Sequence, residues 1–271
     1  MTVDSSFLEK NYFTYKVGDF EVSMLVDKRL ERDASILKDV DDALFKKYVP
    51  QGKYHTGMYS FLIKGAGKIV LIDTGYGERL LGSLAALGVK PEDVDTILIT
   101  HMNQDHIGGL TANNKAVFPK AQIFLSGAER DYWASKENAA VLVPYKVRTF
   151  DAMPLGAQKL GVQKDELLPG ITPLNAAGHT PGHTMYLISS AGRKLLIWGD
   201  LLHAIDIQVP RPDISATFDL DPDAASALRR GILEYCSRNN MPASGMHLLF
   251  PVNTFKKQGT GYQYTGATSL Q

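Results

Sequence analysis

Short apolar runs punctuated by turn residues dominate this chain, with helical periods between them. Residues 12–26 hold two such runs around Gly18-Asp19, which predicts a hairpin turning at that pair. Residues 39–49 repeat apolar positions at helical spacing and stop at Pro50. Strands are expected at 58–63 and 68–72, joined by Gly65-Ala66-Gly67, and the second runs into Asp73-Thr74-Gly75-Tyr76-Gly77. A helix over 78–87 closes at Gly88, and residues 94–100 are apolar and β-branched, as a buried strand requires. A strand over 121–125 leads to a helix over 126–135 with Ser126 as N-cap. Residues 136–168, with Pro144 and Pro154, keep no clean period and read as an irregular insertion able to cover a site. Two strands follow at 184–189 and 194–198, the second ending at Gly199-Asp200. Asp221-Pro222 caps a helix of roughly 16 residues. Residues 248–252 read as a last short strand, and the chain from Lys256 onward as a polar, glycine-containing tail. This order predicts one α/β domain with a layered αββα architecture.

Where the strand 94–100 ends, the character of the sequence changes to Thr100-His101-Met102-Asn103-Gln104-Asp105-His106-Ile107-Gly108-Gly109. If the extended conformation continues, His101 and Asn103 point to one side, with Asp105 and His106 on the turn and a helix starting at Ile107. Ligands on a strand-end loop of an α/β layer structure stand where sites usually form. His179 and His247, with Asp200, fall at other strand ends or junctions, which isolated solvated side chains explain poorly. The bland alternative for the run is a polar loop with two solvated histidines, and an ordinary structural role would explain each of the others singly.

Composition narrows the chemistry. Lys plus Arg and Asp plus Glu both number 29, so no global field favours nucleic acid or an anionic membrane. The first ten residues lack the apolar run of a signal peptide, no stretch is long enough to span a bilayer, and a cytoplasmic location is the expectation. The single cysteine, Cys236, excludes a disulfide framework and a thiolate-rich metal site, leaving histidine and oxygen as metal ligands. Gly75-Tyr76-Gly77 lacks the third glycine of a dinucleotide fingerprint, since Leu80 stands there, and no serine-nucleophile elbow or P-loop occurs.

The runs 101–106 and Gly178-His179-Thr180-Pro181-Gly182-His183, then Gly199-Asp200 and Gly245-Met246-His247, resemble the metallo-β-lactamase superfamily in order and spacing, over roughly residues 55–252. Leu71-Ile72-Asp73-Thr74-Gly75 is similar to that family's strand-and-turn signature. Phe118-Pro119 and the closing run from His247 to Pro251 resemble the branch of methyl parathion hydrolase and N-acyl-homoserine lactonases. The resemblance implies a four-layer αββα sandwich with mixed sheets. It would be a single domain over 1–271, with an N-terminal extension to about residue 50 and the insertion at about 136–168. It implies two divalent metal sites, zinc first and iron or manganese as options. His101, Asn103 and His179 would hold one ion; Asp105, His106 and His247 the other; Asp200 would bridge them. Asp73, His183 and His203 would support ligands from behind, and Asp105 would also take part in catalysis.

The implied function is a metal-dependent hydrolase using metal-activated hydroxide on a lactone or phosphotriester-like small molecule. No nucleic-acid or membrane partner is implied, a homodimer is open, and no substrate-binding residue is assigned. Asn103 departs from the family, where histidine is usual, and its neutral amide oxygen is the weaker donor. One alternative is therefore a catalytically impaired ligand-binding or regulatory module of the same fold. A non-haem iron oxygenase ranks third, because it would rely on the weakened site. Tyr54, His55 and Tyr59 could reach the site mouth or form a surface aromatic cluster, and Trp133 and Tyr145 read as core or pocket wall.

Overall fold

The computed structural model describes residues 5–154 and 166–270. In chain order it opens with α1 (Ser5–Glu9), β1 (Tyr12–Val17), β2 (Phe20–Arg32), α2 (Asp42–Tyr48), β3 (Tyr54–Gly65) and β4 (Lys68–Ile72). Then follow α3 (Leu80–Ala86), β5 (Thr96–Leu98), α4 (Gln104–Ile107), the ribbon β6 (Thr111–Ala112) and β7 (Lys115–Ala116), β8 (Gln122–Ser126), α5 (Gly127–Trp133) and β9 (Lys146–Phe150). The second half holds β10 (Ile171–Asn175), β11 (Thr184–Ser190), β12 (Arg193–Ile197), α6 (Ile205–Gln208), α7 (Pro222–Asn239), β13 (Ala243–Ser244), β14 (Val252–Gln258) and β15 (Gly261–Ala267).

The strands form a seven-stranded sheet, β1-β2-β3-β4-β5-β8-β9, and a six-stranded sheet, β10-β11-β12-β13-β14-β15. Both are mixed: β4, β5, β8 and β9 run parallel, as do β12 and β13, and the other neighbours are antiparallel. Side-chain alternation builds the layers. Phe61, Ile63, Val70 and Ile72 meet Tyr186, Ile188, Leu195 and Ile197 in the core between the sheets. Their neighbours Leu62 and Leu71 point the other way, against Leu80 and Leu84 of α3. On the far side, Leu187 and Leu196 pack on Ile232, Leu233 and Cys236 of α7. The result is the expected αββα stack. Cys236 is a fully buried core residue, and burial pushes its thiol up to about 12. Among the described residues no helix is long and apolar enough to cross a membrane.

The turn chemistry acts where expected. Gly18 takes a positive φ of 58° in the β1–β2 hairpin, and Ala66 and Gly67, at 49° and 71°, turn β3 into β4. Asp221 caps α7 by accepting from Ala224 N, with Pro222 in the first turn. Residues 12–32 pair directly into the larger sheet through β2 and β3. Of the stretch 136–168, residues 146–150 form the edge strand β9, and 155–165 lie outside the described residues.

Four local expectations are corrected. Residues 248–251 form a turn rather than a strand, and the polar tail is the hairpin β14–β15. That hairpin buries Phe255 and Tyr262 on one face while Thr254, Lys256 and Gln263 stay exposed on the other, so its mean polarity hides a half-buried strand pair. Asp105 and His106 sit within α4, because the helix begins at Gln104 rather than at Ile107. Ser126 occupies the N-cap position of α5 but its side chain makes no capping bond.

Candidate functional site

The site lies where the parallel strands end. Asp73 follows β4 with a left-handed φ of 56° and is fully buried. Its carboxylate accepts from Thr100 N at 2.8 Å, from the Thr100 hydroxyl at 2.6 Å and from His106 Nδ1 at 2.7 Å. This fixes the His106 ring with Nε2 aimed inward. The Thr100 hydroxyl spends its only proton on Asp73, so it accepts from His101 Nδ1, 3.1 Å away, and His101 Nε2 also faces inward as a lone pair. Gly77 and Gly109 make this packing tight: a Cβ on Gly77 would stand 2.7 Å from Gly109 Cα.

His179 and His247 arrive from the other sheet with the same polarity. His179 Nδ1 donates to Asp219 Oδ1 at 2.9 Å, and His247 Nδ1 donates to the Gly57 carbonyl at 2.8 Å. Carboxylate and carbonyl oxygens only accept, so in the neutral form of both rings Nε2 carries the lone pair. Asp200 stands at the centre of these rings. Its Oδ2 is 3.0 Å from His247 Nε2, 3.5 Å from His179 Nε2 and 3.6 Å from His101 Nε2, and its Oδ1 is 3.3 Å from His106 Nε2. Asp105 Oδ2 lies 3.6 Å from His247 and 3.7 Å from His106. The side chain of Asp105 keeps 18 % exposure, against 9 % or less for these histidines and Asp200, so it is the group open to the cleft.

The donor set fits cations. His101 Nε2 and His179 Nε2 are 3.2 Å apart with lone pairs facing each other, an arrangement that repels unless a positive ion lies between them. Buried His106 Nε2 and Asp200 Oδ1 make no hydrogen bond. Two groups have ligand atoms within 4.8 Å of one another: Asp105, His106, Asp200 and His247, and His101, His179 and Asp200. The Asn103 amide joins the second of these, its Nδ2 standing 3.2 Å from His179 Nε2; a half-turn of the amide brings its oxygen to that place.

The electrostatics follow from burial against charge. Burial, then the neighbouring His106, press His101 well below the usual imidazole range, which keeps it neutral. Burial also pulls on His106 and His247, but Asp200 and Asp105 outweigh it in both, with Asp73 added for His106, and both are raised. Burial favours the neutral form of Asp200, yet His106, His247 and His101 overcome it and hold the carboxyl well below its ordinary value.

The supporting residues divide. His183 Nδ1 donates to the Ala176 carbonyl at 3.0 Å, and its Nε2 accepts from Asp200 N at 3.0 Å, so it holds the Asp200 backbone. His203 Nε2 lies 3.1 Å from Asp200 Oδ2, and its ring stacks on His247 at 4.9 Å. Burial takes His183 down to about 3 and His203 to about 4. Neither Tyr54, His55 nor Tyr59 reaches the mouth: Tyr54 packs against Phe45, exposed His55 lies near Glu31, and Tyr59 is buried beside Arg29. Thr56 and Met58, which alternate with His55 and Tyr59 on β3, line the cleft instead. Trp133 and Tyr145 are structural, bonding Glu129 and the Leu110 carbonyl.

Above the centre is a cleft of about 210 Å³. Leu30, Ile36, Met58 and Phe218 give it apolar walls, Arg32 and Tyr76 stand on it, and Asp105, Asp200 and His247 reach its floor. Sequence reasoning missed three carboxylates that shape the site. Asp219 orients His179, and Asp27, at a bulge in β2, accepts from Tyr76 N and Arg79 N. Fully buried Glu129 receives Met102 N, the Thr180 hydroxyl and Gly182 N, partners 27, 51 and 53 residues away. Local sequence carries no signal for contacts at such separations.

The metallo-beta-lactamase superfamily model matches residues 57–235, and the chain belongs to that superfamily. The structure is similar to AidC, a dizinc quorum-quenching lactonase solved with a product N-hexanoyl-L-homoserine, with a TM-score of 0.85, 26 % identity and coverage of 95 % of this chain and 97 % of AidC. Among curated relatives, a Thermus thermophilus ribonuclease is 27 % identical over 61 % of this chain, and an N-acyl homoserine lactonase of a Bacillus species 29 % identical over 42 %. The chain spans only 39 % and 40 % of those two relatives.

Proposed function

We propose that this protein is a two-metal hydrolase of small neutral esters, with lactones preferred and phosphotriesters as a related capacity. The observation that carries the reading is the convergence of two histidine–carboxylate groups on one shared residue, Asp200, beneath an apolar-walled cleft. One ion would be held by His101, Asn103 and His179, the other by Asp105, His106 and His247, with Asp200 touching both. Divalent ions bound there, zinc foremost, would lower the pKa of water and polarise the substrate oxygen.

The residues of the chain supply the rest. Leu30, Ile36, Met58 and Phe218 would bury an acyl chain and exclude water from the reacting carbonyl. Arg32 and Tyr76 would donate to a carbonyl on the substrate body, orienting it above Asp200. Asp105, the ligand most open to the cleft, would accept the proton of the attacking water. The water oxygen bonds to the carbonyl carbon, the ring C–O bond breaks, and the leaving alkoxide takes the proton back from Asp105. The likeness to a lactonase over nearly the whole chain supports a lactone, and the cleft size and balanced charge support a small substrate.

Asn103 favours a second reading, a module of this fold with an impaired centre. Elemental analysis of protein purified without chelator, followed by a panel of lactones, phosphotriesters and phosphodiesters, separates the two. Close to two ions per chain with lactone turnover is the expected result. No metal after zinc, manganese or iron is added back sinks the hydrolase reading, and cleavage confined to phosphodiesters replaces the substrate class.

A further inference from the structure

The half of the centre built from His101, Asn103 and His179 rests on two loops from different sheets. Residues 101–103 follow β5 without regular structure, and residues 176–183 connect β10 to β11. One backbone bond joins the loop bases, Thr184 N to the Thr100 carbonyl at 2.9 Å. The ligands themselves need closer control, and a single carboxylate reaches both loops. Glu129 Oε1 accepts from Met102 N, between His101 and Asn103, at 2.9 Å. Its Oε2 accepts from the Thr180 hydroxyl, next to His179, at 2.7 Å and from Gly182 N at 3.0 Å. Trp133 Nε1 fills the remaining place on Oε1 at 2.6 Å.

Glu129 is 0 % exposed and no cation pairs with it among the described residues. A buried carboxylate is costly unless its lone pairs are satisfied, and here four donors from three segments meet it. The loop is pressed against α5 so closely that a Cβ on Gly182 would stand 2.1 Å from Glu129 N. The other half has its own anchors: Asp73 for His106 and the Gly57 carbonyl for His247.

We propose that Glu129 is a positioning residue dedicated to the first half of the centre, clamping the two loops so that His101, Asn103 and His179 stay at ligand spacing. The clamp offsets the weak donor at Asn103, because a preorganised site spends less on ordering its ligands. This role presupposes the metal centre proposed above.

The test compares wild type with Glu129→Gln. Glutamine keeps the shape, but its amide nitrogen faces donors and leaves at least one of them without an acceptor. Each protein is loaded with zinc and titrated with chelators of graded strength, reading metal per chain by elemental analysis. The titration is repeated with cobalt(II), whose visible absorption reports each ion separately. Asp105→Asn, a change confined to the group of His106 and His247, serves as the reference that loosens the other ion. Glu129→Gln is expected to lose one ion about 10-fold or more too readily, with the other unchanged. Equal weakening of both ions, or of neither, overturns the proposal, as does a wild type that holds a single ion. A wild type that takes up no metal overturns the underlying metal-centre reading, and it does so before any substitution is made. If Glu129→Gln does not fold, Thr180→Val removes one donor and leaves the carboxylate. The same one-sided loss is expected there in weaker form, with Thr180→Ser restoring it, and a symmetric loss counts against the clamp.

Discussion

The two halves of the centre share Asp200 and differ in how they are built. The half of Asp105, His106 and His247 takes two of its side chains from the short helix α4 and locks His106 onto a fully buried aspartate at a strand end. The half of His101, Asn103 and His179 is assembled from loops, and beyond the Thr100 hydroxyl beside His101 its supports come from afar: Asp219 and Glu129. It also carries the weaker donor, since the Asn103 amide pairs with His179 alone among the described residues. One half is therefore organised locally, and the other depends on how the sheets and α5 pack. A site of this kind can tolerate a poor ligand only where tertiary contacts hold the remaining ones in place.

That contrast can be broken at its shared point. Asp200→Ala removes the carboxylate that both groups use, and hydrolysis of any accepted ester is expected to fall by about 10²-fold or more, with metal content dropping in both halves. Retention of two tightly held ions by this variant would mean that the halves are independent. The next largest effect belongs to Asp73→Asn. Asparagine tolerates the left-handed backbone at 73, so the fold should persist while the ion at His106 weakens by about 10- to 100-fold and the ion at His101, which Asp73 reaches only through the Thr100 hydroxyl, weakens less. Metal titration checks it, and equal weakening of both ions would contradict the direct anchoring of His106.

Asn103→His sharpens the comparison from the other side. An imidazole in place of the amide should raise the affinity of the looser ion by several-fold and change turnover less than binding. A jump in turnover from near nothing would favour the impaired-module reading instead.

The smallest effect is on stability and pH. Burial holds His183 at about 3 and His203 at about 4, both below the ordinary 6.5. Folded imidazoles that resist protonation favour the native state fully above 6.5. As pH falls from 6.5 toward 4, the unfolded chain binds protons that the folded chain refuses, so stability declines by roughly 1 kcal/mol per pH unit for each group. Denaturant midpoints at pH 7, 6 and 5 measure the slope. His183→Gln should flatten it, and a slope that rises with acidity would refute the neutral assignment.

Much of this was legible in the chain. The hairpins at Gly18-Asp19 and Gly65-Ala66-Gly67, the cap at Asp221-Pro222 and the strand before Thr100 depend on contacts within a few residues, and the pattern reports such contacts directly. The hairpin β14–β15 was missed for a local reason as well, because one exposed face fills it with polar residues. Glu129, Asp219 and Asp27 were illegible for another reason: a lone carboxylate in sequence looks like any surface acid until its distant donors arrive.

By itself the sequence determined which donor side chains crowd the run from His101 to His106, the alternation that makes two-faced strands, and the turns that join them, since side-chain type and period are local properties. Only the tertiary structure decided that Asp200, His179 and His247 meet that run, that Arg32 and Phe218 wall its cleft, and that Glu129 ties its loops together. Those choices arise from two sheets packing face to face, which brings together residues that no local pattern relates.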